Sequence, residues 1–172
     1  SGFGLLLQRY SGCEDVLVGT PVANRDRSEL EDVVGLFVNT LVLRGELSDD
    51  PSLVEFLGRV RETALGAYAH QDLPFEQLVD HLQPERDLSR TPLFQVMFVH
   101  QNTPQTPLQL AGLEVDRLEM DYGGSKFDLT MFTYEQMDGL KVAIEYSTDL
   151  FEDETIERML GHFQVLLEGI VA

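Results

Sequence analysis

Apolar residues recur along this chain with two periods, and the switches between them mark out helices and strands. Leu5, Leu6, Leu7 and Tyr10 read as the last turns of an apolar helix, stopped at Ser11-Gly12, where glycine takes a left-handed cap. Asp15 to Thr20 reads as a short buried strand closed by the turn-prone Gly19-Thr20-Pro21. Leu36 to Leu43 (LFVNTLVL) is β-branched, apolar on both faces and too short for a helix, so it predicts a second strand. Asp50-Pro51 predicts a helix start, with Asp50 as cap and Pro51 in the first position. From there Leu53, Phe56, Leu57, Val60, Ala64, Ala67 and Tyr68 keep the 3.6-residue period. A shorter helix is expected from Pro74 to Leu82.

The second half reads mostly as strand. Leu93 to Val99 (LFQVMFV) is another buried run, and Leu113 to Met120 alternates imperfectly, in the manner of a bulged strand. Phe127 to Tyr134 and Leu140 to Tyr146 alternate more cleanly, with Asp138-Gly139 between them as a hairpin signal. Gln101 to Leu110, rich in Gln, Thr and Pro, reads as an exposed loop. Ile156, Met159, Leu160, Phe163, Leu167 and Ile170 then share one helical face, with Glu152, Asp153 and Glu154 crowding the first turn where the helix dipole favours negative charge. The pattern predicts an α/β fold: a mixed β-sheet with helices packed on it.

Composition narrows the possible functions. At 172 residues there is room for one ordinary domain, and 43% hydrophobic with 24% charged residues is the balance of a packed chain, not of a disordered one. Thirty acidic against 12 basic side chains leave a formal charge of −18, which repels phosphate backbones and excludes nucleic acid as a partner. An anionic membrane surface is disfavoured for the same reason. No apolar run approaches the ~20 residues that span a bilayer, and no basic-apolar leader opens the chain. A cytoplasmic location is therefore expected. The lone Cys13 has no disulfide partner and is expected to be a buried or half-buried thiol. The first residue is not Met and falls partway along a helix, as in a piece of something longer.

Candidate chemistry is sparse. His70-Gln71-Asp72 places an imidazole beside a carboxylate, but residues two apart on a helix do not face each other, so a structural His70 near a helix end is the expectation. His81, His100 and His162 stand alone, without the spacing of a metal site. Gly123-Gly124-Ser125-Lys126 lacks the leading glycine and spacing of a phosphate loop and reads as a flexible turn. No catalytic constellation assembles from these residues.

Three blocks carry more. VVGLFVNTLVLR (Val33 to Arg44), HQDLPFE (His70 to Glu76) and RDLSRTPL (Arg86 to Leu93), in this order and spacing, resemble the later motifs of the condensation domain of nonribosomal peptide synthetases. VGTPVANR (Val18 to Arg25), KFDL (Lys126 to Leu129) and EYSTDLF (Glu145 to Phe151) resemble the same family, so the likeness covers the whole chain. Thr91 stands where the family favours Asn, and Leu73 where it favours Tyr or Val. The family's active-site motif, His-His followed three residues later by Asp-Gly, is absent from this sequence.

What the resemblance implies is a chloramphenicol-acetyltransferase-like fold, with this chain as the C-terminal lobe of a two-lobe pseudo-dimer. The catalytic His would lie on the N-terminal lobe, leaving no catalytic residue here. The reaction implied joins an aminoacyl and a peptidyl thioester as an amide, in a tunnel between the lobes. The expected partners are the N-terminal lobe, donor and acceptor peptidyl carrier proteins bearing phosphopantetheine arms, and a neighbouring adenylation domain. Neither a cofactor nor a metal of the chain's own is expected. Candidates for the tunnel wall or lobe interface are Asn39, Thr40, Arg44, Asp72, Phe75, Arg86, Ser89 and Ser125. Self-association through an exposed lobe face is a further expectation. The alternatives are a non-catalytic carrier- or lobe-binding module, and an epimerisation or cyclisation relative.

Overall fold

A computed structural model describes residues 1–30, 32–84, 90–102, 112–113, 115, 123–137 and 139–171. The chain runs α1 (Gly2–Ser11), β1 (Asp15–Val22), a short 3-10 turn (Ser28–Leu30), β2 (Asn39–Glu46), α2 (Leu53–Ala69), α3 (Phe75–Leu82), β3 (Val96–Gln101), β4 (Leu129–Gln136), β5 (Gly139–Tyr146) and α4 (Asp153–Val171). The five strands form one mixed sheet in the order β2-β1-β3-β4-β5. The outer pairs β1/β2 and β4/β5 are antiparallel, and β3 runs parallel to both β1 and β4. The expected mixed sheet with packed helices is what forms.

One face of the sheet carries the main core. Phe3 and Leu6 of α1, Ile156, Met159 and Phe163 of α4, and Leu129 and Met131 of β4 are all buried together. A second cluster joins Val16 of β1, Leu47 and Phe56 of α2. Strand periodicity explains the division, since alternate side chains point to opposite faces. Val16 and Val18 turn towards the helices, and Gly19 looks the other way.

Local signals set the element ends. Gly12 closes α1 in the left-handed conformation (φ 71°), as its sequence implies. Helix α2 is capped by Ser52, whose hydroxyl accepts from the Glu55 N–H while the Glu55 carboxylate accepts from the Ser52 N–H. This capping box moves the start two residues past the expected Asp50 cap. Helix α4 carries its acidic first turn at Asp153 and Glu154, and the Tyr146 hydroxyl at the end of β5 donates to Asp153 at 2.7 Å.

Several strand bounds differ from the sequence pattern, each for a pairing reason. β2 starts at Asn39, not Leu36, because Val22↔Asn39 is the last β1/β2 pair; Leu36 and Val38 lie beyond it, 91% and 57% exposed. β1 extends past Thr20 to Val22 because β2 is there to pair with it. β3 starts at Val96 because Leu93 takes a left-handed φ of 72° that bends the chain first. The β4/β5 pairing closes at Gln136↔Gly139, so Gly139 belongs to the strand and not to the turn. Cys13 is exposed, contrary to expectation, since it sits in the turn that Gly12 opens between α1 and β1. The expected strand and loop between 103 and 122 lie almost wholly outside the described residues. Among the described residues, no helix is long and apolar enough to cross a membrane.

Candidate functional site

The chain passes from α2, on the helix-bearing face, over the end of β2 to the opposite face, and Asn39 sits at the crossing. Its side-chain amide donates to the carbonyls of Gln71 (2.7 Å) and Leu73 (2.8 Å). Its carbonyl accepts from the N–H groups of Thr40 (2.9 Å) and Phe75 (3.1 Å). Both amide hydrogens and both oxygen lone pairs are thus engaged within the chain. Asn39 pins the HQDLPFE turn to the first residue of β2, and α3 starts at Phe75 with Pro74 as its cap.

Beyond the crossing, three aromatic rings meet on the face away from the main core. Phe75 meets Phe94 edge-to-face, with centroids 5.6 Å apart, and Phe94 meets Phe127 at 5.4 Å. Phe94 is buried and lies directly on the backbone of β1: a Cβ added to Gly19 would collide with its ring. Only glycine permits that approach. Ser125 donates its hydroxyl to the Phe127 carbonyl, closing the turn that leads into β4. Across the same sheet face, Gly19 pairs with Met97 and Met97 with Thr130, whose buried hydroxyl has no hydrogen-bond partner among the described residues.

The other candidates scatter. Arg44 forms a two-pronged ion pair with Asp15 across the β1/β2 ladder, at 2.9 and 2.8 Å. That hydrogen bond holds the Asp15 carboxyl below its ordinary value of 3.8 and raises Arg44. The carboxylate that Arg44 meets is therefore in its own chain. Asp72 is exposed, and no hydrogen bond links it to His70, which is exposed at the end of α2 as its position in the sequence implies. Arg86 and Ser89 lie outside the described residues. Among the described residues, no group of three His, Cys, Asp or Glu is arranged to hold a metal.

A cavity of about 300 Å³ lies elsewhere, between the helices and the sheet, walled by Phe3, Phe56, Val60, Phe98 and Phe163. Of the candidates only Arg44 borders it. The sequence blocks instead come together at the aromatic junction: Gly19, Asn39, Phe75, Phe94 and Phe127 belong to or abut five of them. Sequence reasoning misses Gly19, Phe94 and Phe127, although a glycine inside a strand is itself a sign of close backbone approach.

The family model of the condensation domain matches residues 1–172. This chain belongs to the condensation-domain family. It is 54% identical over its whole length to one of the linear gramicidin synthase proteins of Brevibacillus parabrevis and 46% identical to tyrocidine synthase 3 of the same organism. It spans 3% of the length of each of those synthases. Among solved structures, the X-domain from teicoplanin biosynthesis superposes with a TM-score of 0.88 at 28% identity, covering 98% of this chain and 39% of that one. A holo four-domain nonribosomal peptide synthetase gives 0.87 at 26% identity, over 99% of this chain and 14% of that one. The condensation-domain fold expected from the motifs is thus present, and Asn39, Phe75, Phe94 and Phe127, in or beside four of the motif blocks, meet within it on the sheet face away from the main core.

Proposed function

We propose that this chain is the C-terminal lobe of a condensation domain that joins carrier-bound thioesters in cytoplasmic nonribosomal peptide synthesis. The observation that carries the reading is the 54% identity, over every residue of the chain, to a linear gramicidin synthase. In the reaction, the acceptor amine attacks the donor thioester carbonyl. A C–N bond forms, the C–S bond breaks, and the proton given up by the amine leaves with the thiol. The substrates arrive on phosphopantetheine arms of donor and acceptor carriers, so the rate gain is chiefly one of positioning two tethered reactants. The catalytic His belongs to the His-His motif on the complementary N-terminal lobe.

This lobe contributes a wall. Asn39 shapes it without offering hydrogen bonds to substrate, because its amide is fully engaged. Thr40, Phe75 and Ser125 flank the same region, and Arg86 and Ser89 are assigned to it by motif alone. A neighbouring adenylation domain completes the set of partners. A carrier-bound dipeptide assay tests the reading. The complete domain should form the amide and this chain alone should not; turnover by this chain alone would overturn the two-lobe assignment. A second reading, a module that grips a partner protein, is favoured by one observation: an X-domain 28% identical to this chain, with a TM-score of 0.85, is solved in complex with OxyB. A complete domain that binds a partner yet forms no amide would select it.

A further inference from the structure

Phe94 belongs to neither of the clusters that bury the helices on the sheet. It nevertheless is 2% exposed, and β1 gives up a side chain at Gly19 to admit it. The backbone around it is bent to present the ring: Leu93 has φ 72°, the Phe94 N–H donates to the Pro92 carbonyl at 3.0 Å, and the Gln95 side chain ties back to Thr91 at 3.0 Å. Two branches leave the ring. One runs through Phe75 to Asn39 and the HQDLPFE turn. The other runs through Phe127 to Ser125 and the start of β4. Among the described residues, no hydrogen bond joins residues 70–75 to Ser125–Asp128. The Phe94 ring is what both branches touch.

We infer that Phe94 is a positioning residue, which fixes the HQDLPFE turn relative to the Ser125–Phe127 segment and so sets the geometry of the wall this lobe offers to substrate. The inference rests on the condensation reading for its effect on turnover, but not for the coupling itself. A ring gripped by both branches and seated on bare backbone has nowhere to shift without moving both. Misplacement on the order of an ångström at a wall of this kind slows a reaction that depends on near-attack alignment.

The test uses the complete domain with loaded carriers and the variants Phe94→Leu and Gly19→Ala/Phe94→Leu. In the double variant the added methyl fills the space left by the outer ring atoms Cε2 and Cζ, and the flexible leucine end can turn its Cδ atoms aside, so melting temperature should recover part of the loss seen in Phe94→Leu. Turnover at saturating carrier should stay about ten-fold or more below wild type in both, since neither restores the joint. Turnover that recovers along with stability would make Phe94 a packing residue only and overturn the inference.

A second measurement is independent of activity. The Phe75 N–H, bonded to Asn39, and the Asp128 N–H, bonded to the Gln95 carbonyl at 3.0 Å, report on the two branches by hydrogen exchange. Phe75→Leu should accelerate exchange at Asp128 in the wild-type background and leave it unchanged in Phe94→Leu. Equal acceleration in both backgrounds, or none in either, would overturn the coupling. A wild-type domain that forms no amide would defeat the condensation reading while the exchange result still decides the role of Phe94.

Discussion

At Asn39, one side chain satisfies two carbonyls and two N–H groups at the point where the chain crosses the sheet edge. Asn39→Ala leaves those groups to find water or go unpaired, at a cost of about 1–3 kcal/mol for a buried group. In the complete domain we expect a lower melting temperature together with reduced turnover of the folded fraction, because the turn that Asn39 pins is part of the wall; lost turnover without lost stability would make the residue a substrate contact. Asn39→Asp separates the two halves of the amide. It keeps the acceptor for Thr40 and Phe75 but sets a carboxylate oxygen against two carbonyls, so it should destabilise at neutral pH at least as much as Ala. Thr130 presents the reverse case. Its hydroxyl is buried without a partner among the described residues, and replacing an unsatisfied group by an apolar one of the same shape is favourable. Thr130→Val should raise the melting temperature, and a fall would reveal a partner for that hydroxyl.

Among the elements, the start of α2 and the β1/β2 ladder each hold one carboxyl below its ordinary value. The Ser52 hydroxyl and backbone N–H hold Glu55 below its ordinary value of 4.5, and Arg44 holds Asp15 below 3.8. A carboxyl depressed on folding stabilises the fold above its unfolded pKa, and that stability is lost as pH falls through the lower folded value. Both groups are exposed, so the effects are small. Denaturant midpoints followed downward from pH 5 should fall less steeply in Arg44→Ala than in wild type, and a parallel profile would show that the pair does not couple to folding. Ser52→Ala should cost about 1 kcal/mol as a lost helix cap. Helices α1, α2 and α4 are legible in the sequence because each buries one periodic face. The strands are legible in existence and less so in extent: LFVNTLVL is equally apolar before and after Asn39, and only the end of β1 at Val22 decides where pairing stops. The site is harder to read. The partners of Asn39 are mostly backbone groups 32 to 36 residues away, and backbone groups leave no signature in sequence. Arg44 pairs with Asp15, which lies diagonally across the β1/β2 ladder and takes both prongs, and a partner 29 residues away is not marked by any local spacing.

At the scale of the whole molecule, a strongly acidic surface coexists with an apolar strip just before β2. Val34 is 101% exposed, Leu36 91% and Val38 57%. The strip is held outward from behind: the Arg25 guanidinium donates to the Leu30 and Gly35 carbonyls and lies 4.3 Å over the Phe37 ring. Apolar side chains held this far from any core favour association, but the formal charge of −18 on each chain opposes it. The two effects respond differently to salt. Screening shortens the reach of the repulsion from about 30 Å at 0.01 M to about 3 Å at 1 M and leaves apolar burial intact. This chain in isolation should therefore remain monomeric at low ionic strength and associate reversibly as salt is raised, as read by sedimentation. Val34→Asp/Leu36→Asp should abolish the association without lowering the melting temperature, since neither side chain is packed. Association that weakens with salt would instead assign it to ion pairs, and association that survives the double substitution would place the adhesive surface elsewhere on the molecule.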